Sequence, residues 1–449
     1  MTWSFFTQRR ITILLFALSM VVHFAWLGTP NSAVFDEVHF GKFFTAYFTH
    51  QYYFDIHPPL GKLIIAGWGW LWGFHPGFSF ASIGEVYPDH FYIILRTLPS
   101  LAGALLPLVI FGIARRLRIS LRAATLAGIF VALDNALLVQ SRLILLDSFL
   151  LLFGFTAIYY YLRWRDSSAT WTLAAAGAFG GMAMSIKWTG VTFLSLIVLL
   201  EIIRFFHTRT IPSRVVFLRQ SVALIILPLA IYVGVFAIHF SLLTKSGAGD
   251  AFMTRDFQSG LKGNQLYGDP TLTPPNLLQK IADLNDEMYR SNNRLTATHP
   301  YSSKWYTWPL MLRPIFYWIE GNARIYLIGN PAVWWLSAVA MATLLAQLMA
   351  SGVRALKMTR AIILIGWTSN LLPFIGISRV MFLYHYFTAL LWAILALAFV
   401  ADQSHLSKRS YVALCAIALA LFVFFAPLSY GLPMSSSAQQ SRTWFSTWR

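Results

Sequence analysis

Val34-Phe35-Asp36-Glu37-Val38-His39-Phe40-Gly41-Lys42, followed by Phe54-Asp55-Ile56-His57-Pro58-Pro59-Leu60-Gly61-Lys62, is the stretch on which the reading of this chain turns. Two acids stand side by side just after an apolar run, and a rigid acid-X-His-Pro-Pro turn follows. Ionisable groups held at a membrane surface are costly and are functional candidates by default. Their place here points to chemistry on something the membrane delivers.

The chain around them is built for a bilayer. Of 449 residues 57% are hydrophobic and 11% charged, where soluble domains carry about 25% charged residues. The net charge of +17 does not read as a nucleic-acid footprint, because the basic residues gather in short loops between apolar runs. That is the positive-inside pattern, and it also suits anionic headgroups. The lone Cys415 sits in an apolar run and can form neither an intrachain disulfide nor a cysteine-based metal site. Arg9 and Arg10 precede a long apolar stretch, Ile11 to Leu27, with no small-residue cleavage site after it, which reads as a retained first span rather than a signal peptide.

At about 20 apolar residues per span, the chain predicts an all-α polytopic protein with about 11 transmembrane helices. They fall near 11–28, 91–114, 121–138, 143–163, 171–187, 189–206, 219–240, 331–350, 361–377, 380–400 and 411–427. With the amino terminus inside, Arg115, Arg116, Arg118 and Arg122, then Arg163 and Arg165, then Arg204, Arg209, Arg214 and Arg219, then Arg354, Lys357 and Arg360, then Lys408 and Arg409 all fall on the inner side. An odd number of spans puts the carboxy terminus outside. Two long loops, 29–90 and 241–330, lie outside with most of the acids, and loops of that length are usually functional. Each carries an amphipathic stripe suited to the bilayer interface: Phe40, Phe43, Phe44, Tyr47 and Phe48 in the first, and Leu277, Leu278, Ile281, Leu284 and Met288 in the second, just after Pro274-Pro275.

The candidate chemistry follows from residue type and spacing. Asp36 is placed to cap the helix it opens, with Phe35 and Phe40 as a hydrophobic staple; a capping carboxylate is held in orientation, so capping and catalysis are compatible. Neighbouring residues at a helix start point about 100° apart, which argues against a glycosidase pair facing each other across a bond at about 5–9.5 Å. One base with an orienting neighbour, Glu37, suits transfer of a sugar from a phosphate instead. The leaving phosphate needs cations rather than a general acid, and the acceptor hydroxyl needs a base. Arg96, Lys187 and Arg379, all at the outer face, are the candidate phosphate ligands, although an arginine at Arg96 could also snorkel to the interface. His57, held extended by the following proline, and Asp55 either shape a turn or touch sugar or phosphate. Asp147 reads as the structural ion-pair partner of Arg142 or Arg96 at least as readily as a catalytic or substrate-binding acid. Trp305 and Trp308, in His299-Pro300-Tyr301-Ser302-Ser303-Lys304-Trp305-Tyr306-Thr307-Trp308-Pro309, form an aromatic belt or a peptide or sugar platform, and His385 reads by default as a buried, hydrogen-bonded histidine.

Taken in order, Val34–Gly41, Phe54–Lys62, Ile144-Leu145-Leu146-Asp147-Ser148, Ser185-Ile186-Lys187-Trp188-Thr189-Gly190, Lys304–Leu310 and Tyr384-His385-Tyr386 resemble the protein O-mannosyltransferases, glycosyltransferase family 39, over nearly the whole chain. The resemblance implies a single GT-C membrane domain over 1–449, with 29–90 as the catalytic loop. It implies inverting transfer of mannose from a polyprenyl or dolichyl phosphate mannose to Ser or Thr hydroxyls of proteins, with Asp36 as base, Glu37 as its neighbour and Arg96 as a required arginine. No cofactor is required beyond the lipid donor, and the need for a divalent metal is left open. Loop 241–330 is too short for the sugar-binding-like MIR domain of eukaryotic members, which implies a minimal, prokaryotic plasma-membrane member, or an ER one if eukaryotic. The expected partners are the bilayer, the lipid-linked donor and Ser/Thr-containing proteins, with no nucleic acid; a dimer is compatible. The competing expectations are another polyprenyl-phosphate glycosyltransferase acting on a lipid or glycan, or a transporter or scaffold. Against the latter, no inverted repeat or broken midplane helix is evident.

Overall fold

The computed structural model describes residues 2–208, 213–295, 297–352 and 357–448; Arg209 and Arg354 lie outside these. Apart from one hairpin, the regular structure of the described residues is helical.

Seven helices among the described residues are long and apolar enough to cross a membrane, or eight if Leu121–Ala132 and Asn135–Ser141, bent by 55° at their junction, make one span. This corrects the expectation of about 11. The segments expected at 11–28, 143–163 and 171–187 are helical but fall short. Thr2–Phe24 carries Arg9 and Arg10 and ends at Phe24, so its uninterrupted apolar run rises only about 21 Å at about 1.5 Å per residue, against a hydrocarbon core of about 30 Å. Asp147–Ser167 is diluted by Tyr159, Tyr160, Tyr161, Arg163, Arg165 and Asp166. Thr170–Ile186 stops where Lys187 turns to an extended backbone. With seven or eight crossings among the described residues, the number of spans does not fix the side of the carboxy terminus.

The helix Phe387–Gln403 is the centre of the bundle. Nearly its whole surface is buried, and Pro331–Ser351, Met358–Leu371 and Leu121–Ala132 pack around it. Arg214–Leu242 and Lys408–Tyr430 instead present most of their apolar surface outward, as helices facing lipid do. Close packing is set by small residues: a Cβ on Gly177 would overlap the carbonyl oxygen of Ala223, and one on Gly181 would come to 2.8 Å from Pro228 Cα. Two glycines four residues apart therefore let a helix backbone lie directly against Thr170–Ile186, at the π turn Val222–Ile226.

The loops build a cap on this bundle. In the first, the helix Glu37–Thr49 buries Phe40, Phe44 and Tyr47. Its apolar stripe meets Phe74, Phe80 and Tyr53, so it packs into protein rather than lying on the bilayer as expected. A second helix, Leu60–Leu71, spans about 18 Å at about 1.5 Å per residue and is too short to cross. In the second loop Leu277–Arg294 starts where the proline pair predicts, closed by a capping box between Asn276 and Gln279. It buries Leu284 and Met288 and leaves Leu278 67% exposed. The hairpin, absent from the sequence reading, pairs strand β1 (Ile315–Glu320) with β2 (Ala323–Leu327) antiparallel, with a register slip between Phe316 and Trp318. Its signal was Gly321-Asn322 between two alternating apolar runs, a two-residue hairpin turn with Gly321 at φ +52°.

Candidate active site

The site begins with Glu37. Its carboxylate is fully buried and accepts from Arg96 Nε at 2.8 Å and Arg96 Nη2 at 2.7 Å, a bidentate fork. It also accepts from the backbone N–H groups of Val34 and Ile144, both at 2.9 Å, and from the Tyr87 hydroxyl at 3.2 Å. Arg96 spends its remaining N–H groups on the carbonyls of Pro30 at 2.7 Å and Ser32 at 3.2 Å. One buried ion pair thus ties the start of the first loop to the helix Phe91–Arg116 and to the segment before Asp147. Arg96 does not line the cavity described next, and its guanidinium is committed. This corrects its expected place as a phosphate ligand: it is neither snorkelling nor facing an open site.

With Glu37 latched, the preceding residues have little freedom. Phe35 sits at φ +49°, a left-handed conformation uncommon for a bulky residue and often found where a site stores strain, and its ring stacks on Tyr317 at 3.9 Å. Asp36 opens the helix but makes no capping hydrogen bond, so capping does not occupy its carboxylate. Instead it faces a cavity of about 730 Å³ that also takes in His57, Asp147, Lys187, Arg379 and His385. Burial lifts the Asp36 pKa to about 7; Lys187 opposes the rise and Asp147 and Asp55 add to it.

The other charges of the cavity largely pair among themselves. Lys187 donates to Asp147 Oδ1 at 2.7 Å, so Asp147 is partnered by neither Arg142 nor Arg96. Its second oxygen accepts from Gln140 at 2.7 Å. Asp55 is bridged to the buried Lys62, whose Nζ also donates to the His57 carbonyl at 2.8 Å; spacing in the motif alone does not single out Lys62. Two charged side chains of the lining, Asp36 and Arg379, are in no ion pair among the described residues. The His57 pKa is pushed well below the ordinary imidazole value by burial first and then by Lys187, Lys62 and Arg379, which leaves a neutral ring able to donate and accept. His385 is held through Nδ1 by the Phe382 backbone at 3.0 Å and also faces the cavity, beside Tyr384.

The tryptophans fall elsewhere. Trp308 is fully buried, stacked behind His385 at 5.9 Å, with its indole N–H on Ser303 at 2.9 Å. Trp305 packs on Tyr306, and neither lines the cavity. Trp308 therefore supports the wall from behind instead of forming a platform. Among the described residues no group of three or more His, Cys, Asp or Glu side chains gathers as metal ligands would.

Comparisons with known proteins agree with this architecture. Residues 13–244 match the family described as dolichyl-phosphate-mannose-protein mannosyltransferase, and residues 277–448 match the C-terminal four-transmembrane region of protein O-mannosyltransferase. Dolichyl-phosphate-mannose–protein mannosyltransferase 4 of Candida albicans is 39% identical over 262 residues, 54% of this chain and 34% of that protein. Protein O-mannosyltransferase 1 of Drosophila melanogaster is 36% identical over 261 residues, 56% of this chain and 30% of that protein. The match thus spans about a third of the length of these relatives. A chain of the Saccharomyces cerevisiae protein O-mannosyltransferase Pmt1–Pmt2 complex bound to the sugar donor superposes with a TM-score of 0.91, covering 99% of this chain and 93% of that one at 22% identity, a likeness of fold. With more than half of its length matching the first of these family descriptions, the chain belongs to the dolichyl-phosphate-mannose-protein mannosyltransferase family.

Proposed function

We propose that this protein transfers mannose from a polyprenyl, dolichyl-type, phosphate mannose to Ser or Thr hydroxyls of proteins at the extracytoplasmic face, with inversion at the anomeric carbon. The observation that carries the reading is the charge left over in the cavity: one carboxylate, Asp36, and one cation, Arg379, are unpaired in a space whose other acids hold cations of their own. A mannosyl phosphate and a hydroxyl need that complement. Asp36 takes the hydroxyl proton, the oxygen bonds to the anomeric carbon, and the bond from that carbon to the phosphate oxygen breaks with its electrons leaving on the lipid phosphate. Arg379 and Lys187 stabilise that phosphate, and the neutral His57, with His385 beside it in the lining, is available to hydrogen-bond the sugar. Asp55, tied to Lys62, and Arg96, tied to Glu37, act by holding the walls. No step runs through a metal.

The basic residues at the short connections, among them Arg115, Arg116, Lys408 and Arg409, lie at helix ends opposite the two long loops, which supports a cavity facing away from the cytosol. The single domain over 1–449 and pairing with a second family chain belong to the same reading; the fold is shared with one half of a two-protein yeast complex. Purified protein supplied with dolichyl phosphate mannose and a Ser/Thr-rich peptide is expected to yield mannosyl peptide. Transfer to lipid or glycan acceptors alone would overturn the protein-acceptor reading.

Two further results are expected. Because Asp36 acts only when ionised and its pKa is lifted to about 7, kcat/KM rises with pH through about 7 and levels off above it, instead of being flat from about pH 5 as for an ordinary carboxylate. A profile already level at acidic pH would remove Asp36 as the titrating base. Arg379→Ala removes a charge-assisted fork without touching the Glu37 latch, so the donor KM rises by about tenfold or more. The thermal midpoint in detergent stays within about 2 °C of the parent, as for a partly exposed residue outside the core. An unchanged donor KM would take Arg379 out of the phosphate site.

A further inference from the structure

A buried chain of hydrogen bonds runs from the hairpin into the cavity, through two residues that the proposed reaction does not use. The register slip in β1 makes Tyr317 the bulged residue, and a bulge re-aims a side chain. The Tyr317 hydroxyl donates to Gln140 Oε1 at 2.6 Å, Gln140 Nε2 donates to Asp147 Oδ2 at 2.7 Å, and Asp147 Oδ1 accepts from Lys187 at 2.7 Å. The sense of this chain follows from its chemistry: an ionised carboxylate only accepts, so the amide nitrogen must face Asp147 and the amide oxygen must face the tyrosine. Gln140 and Tyr317 are 3% and 1% exposed, so neither position can exchange its partner for bulk water. The ring of the same tyrosine stacks on Phe35 at 3.9 Å and 7°, and Phe35 is the left-handed residue directly before Asp36. One side chain therefore touches the supports of both ends of the site, the base by its ring and the phosphate cation by its hydroxyl.

We infer that Tyr317 and Gln140 are positioning residues that keep the base end and the phosphate end of the cavity in register. The hydroxyl arm holds Asp147 in place, so that Lys187 stands at the cavity wall with N–H groups to offer; the stacked arm holds the backbone that aims Asp36. The inference rests on the functional reading above.

The two arms can be cut separately. Tyr317→Phe keeps the stack and deletes the hydroxyl, so binding of dolichyl phosphate is expected to weaken about tenfold, the scale of one lost hydrogen bond in a charged network, with kcat changing less than about threefold. Gln140→Met should reproduce that pattern. Tyr317→Leu cuts both arms and is expected to lower kcat by a further factor of about ten as the base loses its aim. Thermal midpoints of all three report folding, and values are taken per folded molecule. Affinity and kcat falling together in every variant, or Tyr317→Phe and Gln140→Met binding dolichyl phosphate within about twofold of the parent, would overturn the positioning role. Binding of the lipid phosphate requires no mannosyl transfer. A parent protein that binds it but makes no mannosyl peptide therefore sinks the functional reading alone, and dolichyl phosphate binding by Tyr317→Phe and Gln140→Met still judges the hydroxyl arm.

Discussion

Asp36→Asn is expected to reduce kcat by about 10²–10⁴-fold, the range lost with a general base, while leaving the protein as stable as the parent or more so. The side chains are nearly isosteric, and the carboxylate makes no capping bond that the amide would have to replace. The stability sign follows from the pKa. The folded pKa is raised from 3.8 to about 7, so the protonated form is favoured by folding, and the cost of holding a charge there grows as pH rises from about 4 to about 7. An amide carries no charge at any pH. The thermal midpoint of the variant should therefore match the parent in acid and equal or exceed it above neutrality. Retained transfer by Asp36→Asn would exclude the residue as base; a large loss of stability would show that its carboxylate bonds to something in the fold.

Arg96→Ala is expected to fail in the opposite manner, through the fold. Removing one partner of a buried, hydrogen-bonded ion pair costs about 3–5 kcal/mol, because the other charge stays buried and unpaired, and both Arg96 and Glu37 are 0% exposed. The carbonyls of Pro30 and Ser32 lose their donor as well. Arg96→Lys restores the charge but not the fork, so it should recover only part of the loss. Melting in detergent and the yield of monodisperse protein measure this directly. Activity should fall with the folded fraction and with misplacement of Asp36, while the donor affinity of the remaining folded protein stays near the parent's. Loss of donor affinity with no thermal shift would return Arg96 to the phosphate site from which the geometry removes it.

What could be read in the sequence divides by distance along the chain. The first loop was legible because its chemistry is local: Asp36, Glu37, Asp55 and His57 sit within a short segment whose spacing limits what they can do. The helix after Pro274-Pro275 was legible because caps and proline rules act within a turn. The partners were not. Glu37 and Arg96 are 59 positions apart, and Asp147 and Lys187 are 40 apart; nothing local distinguishes Lys187 from Arg142, which lies nearer to Asp147 in sequence but caps the carbonyls of Trp26 and Ser429 instead. Aromatic density misled for a similar reason. A tryptophan that lines a cavity and one that supports it from behind look alike in a string of letters, and only packing put Trp308 behind His385. Span counting overshot where helices carry tyrosines and arginines into their ends, as Asp147–Ser167 does, because a helix is not by that fact a membrane crossing.

The isolation of Asp36 from any ion pair bears on how the site resets. Under the proposed reaction each cycle leaves a proton on Asp36 and a phosphate monoester on the departing lipid, whose second pKa is near 6. An ordinary aspartate would be a far stronger acid than that phosphate and would hold the captured proton poorly. With its pKa lifted to about 7, Asp36 lies within about one unit of the leaving group. Passing the proton from one to the other is then close to isoenergetic and needs no strong base from outside. The lipid can depart with its charge lowered and the carboxylate restored, so the burial that makes Asp36 reluctant to ionise strengthens it as a base without putting its proton beyond reach of the departing phosphate.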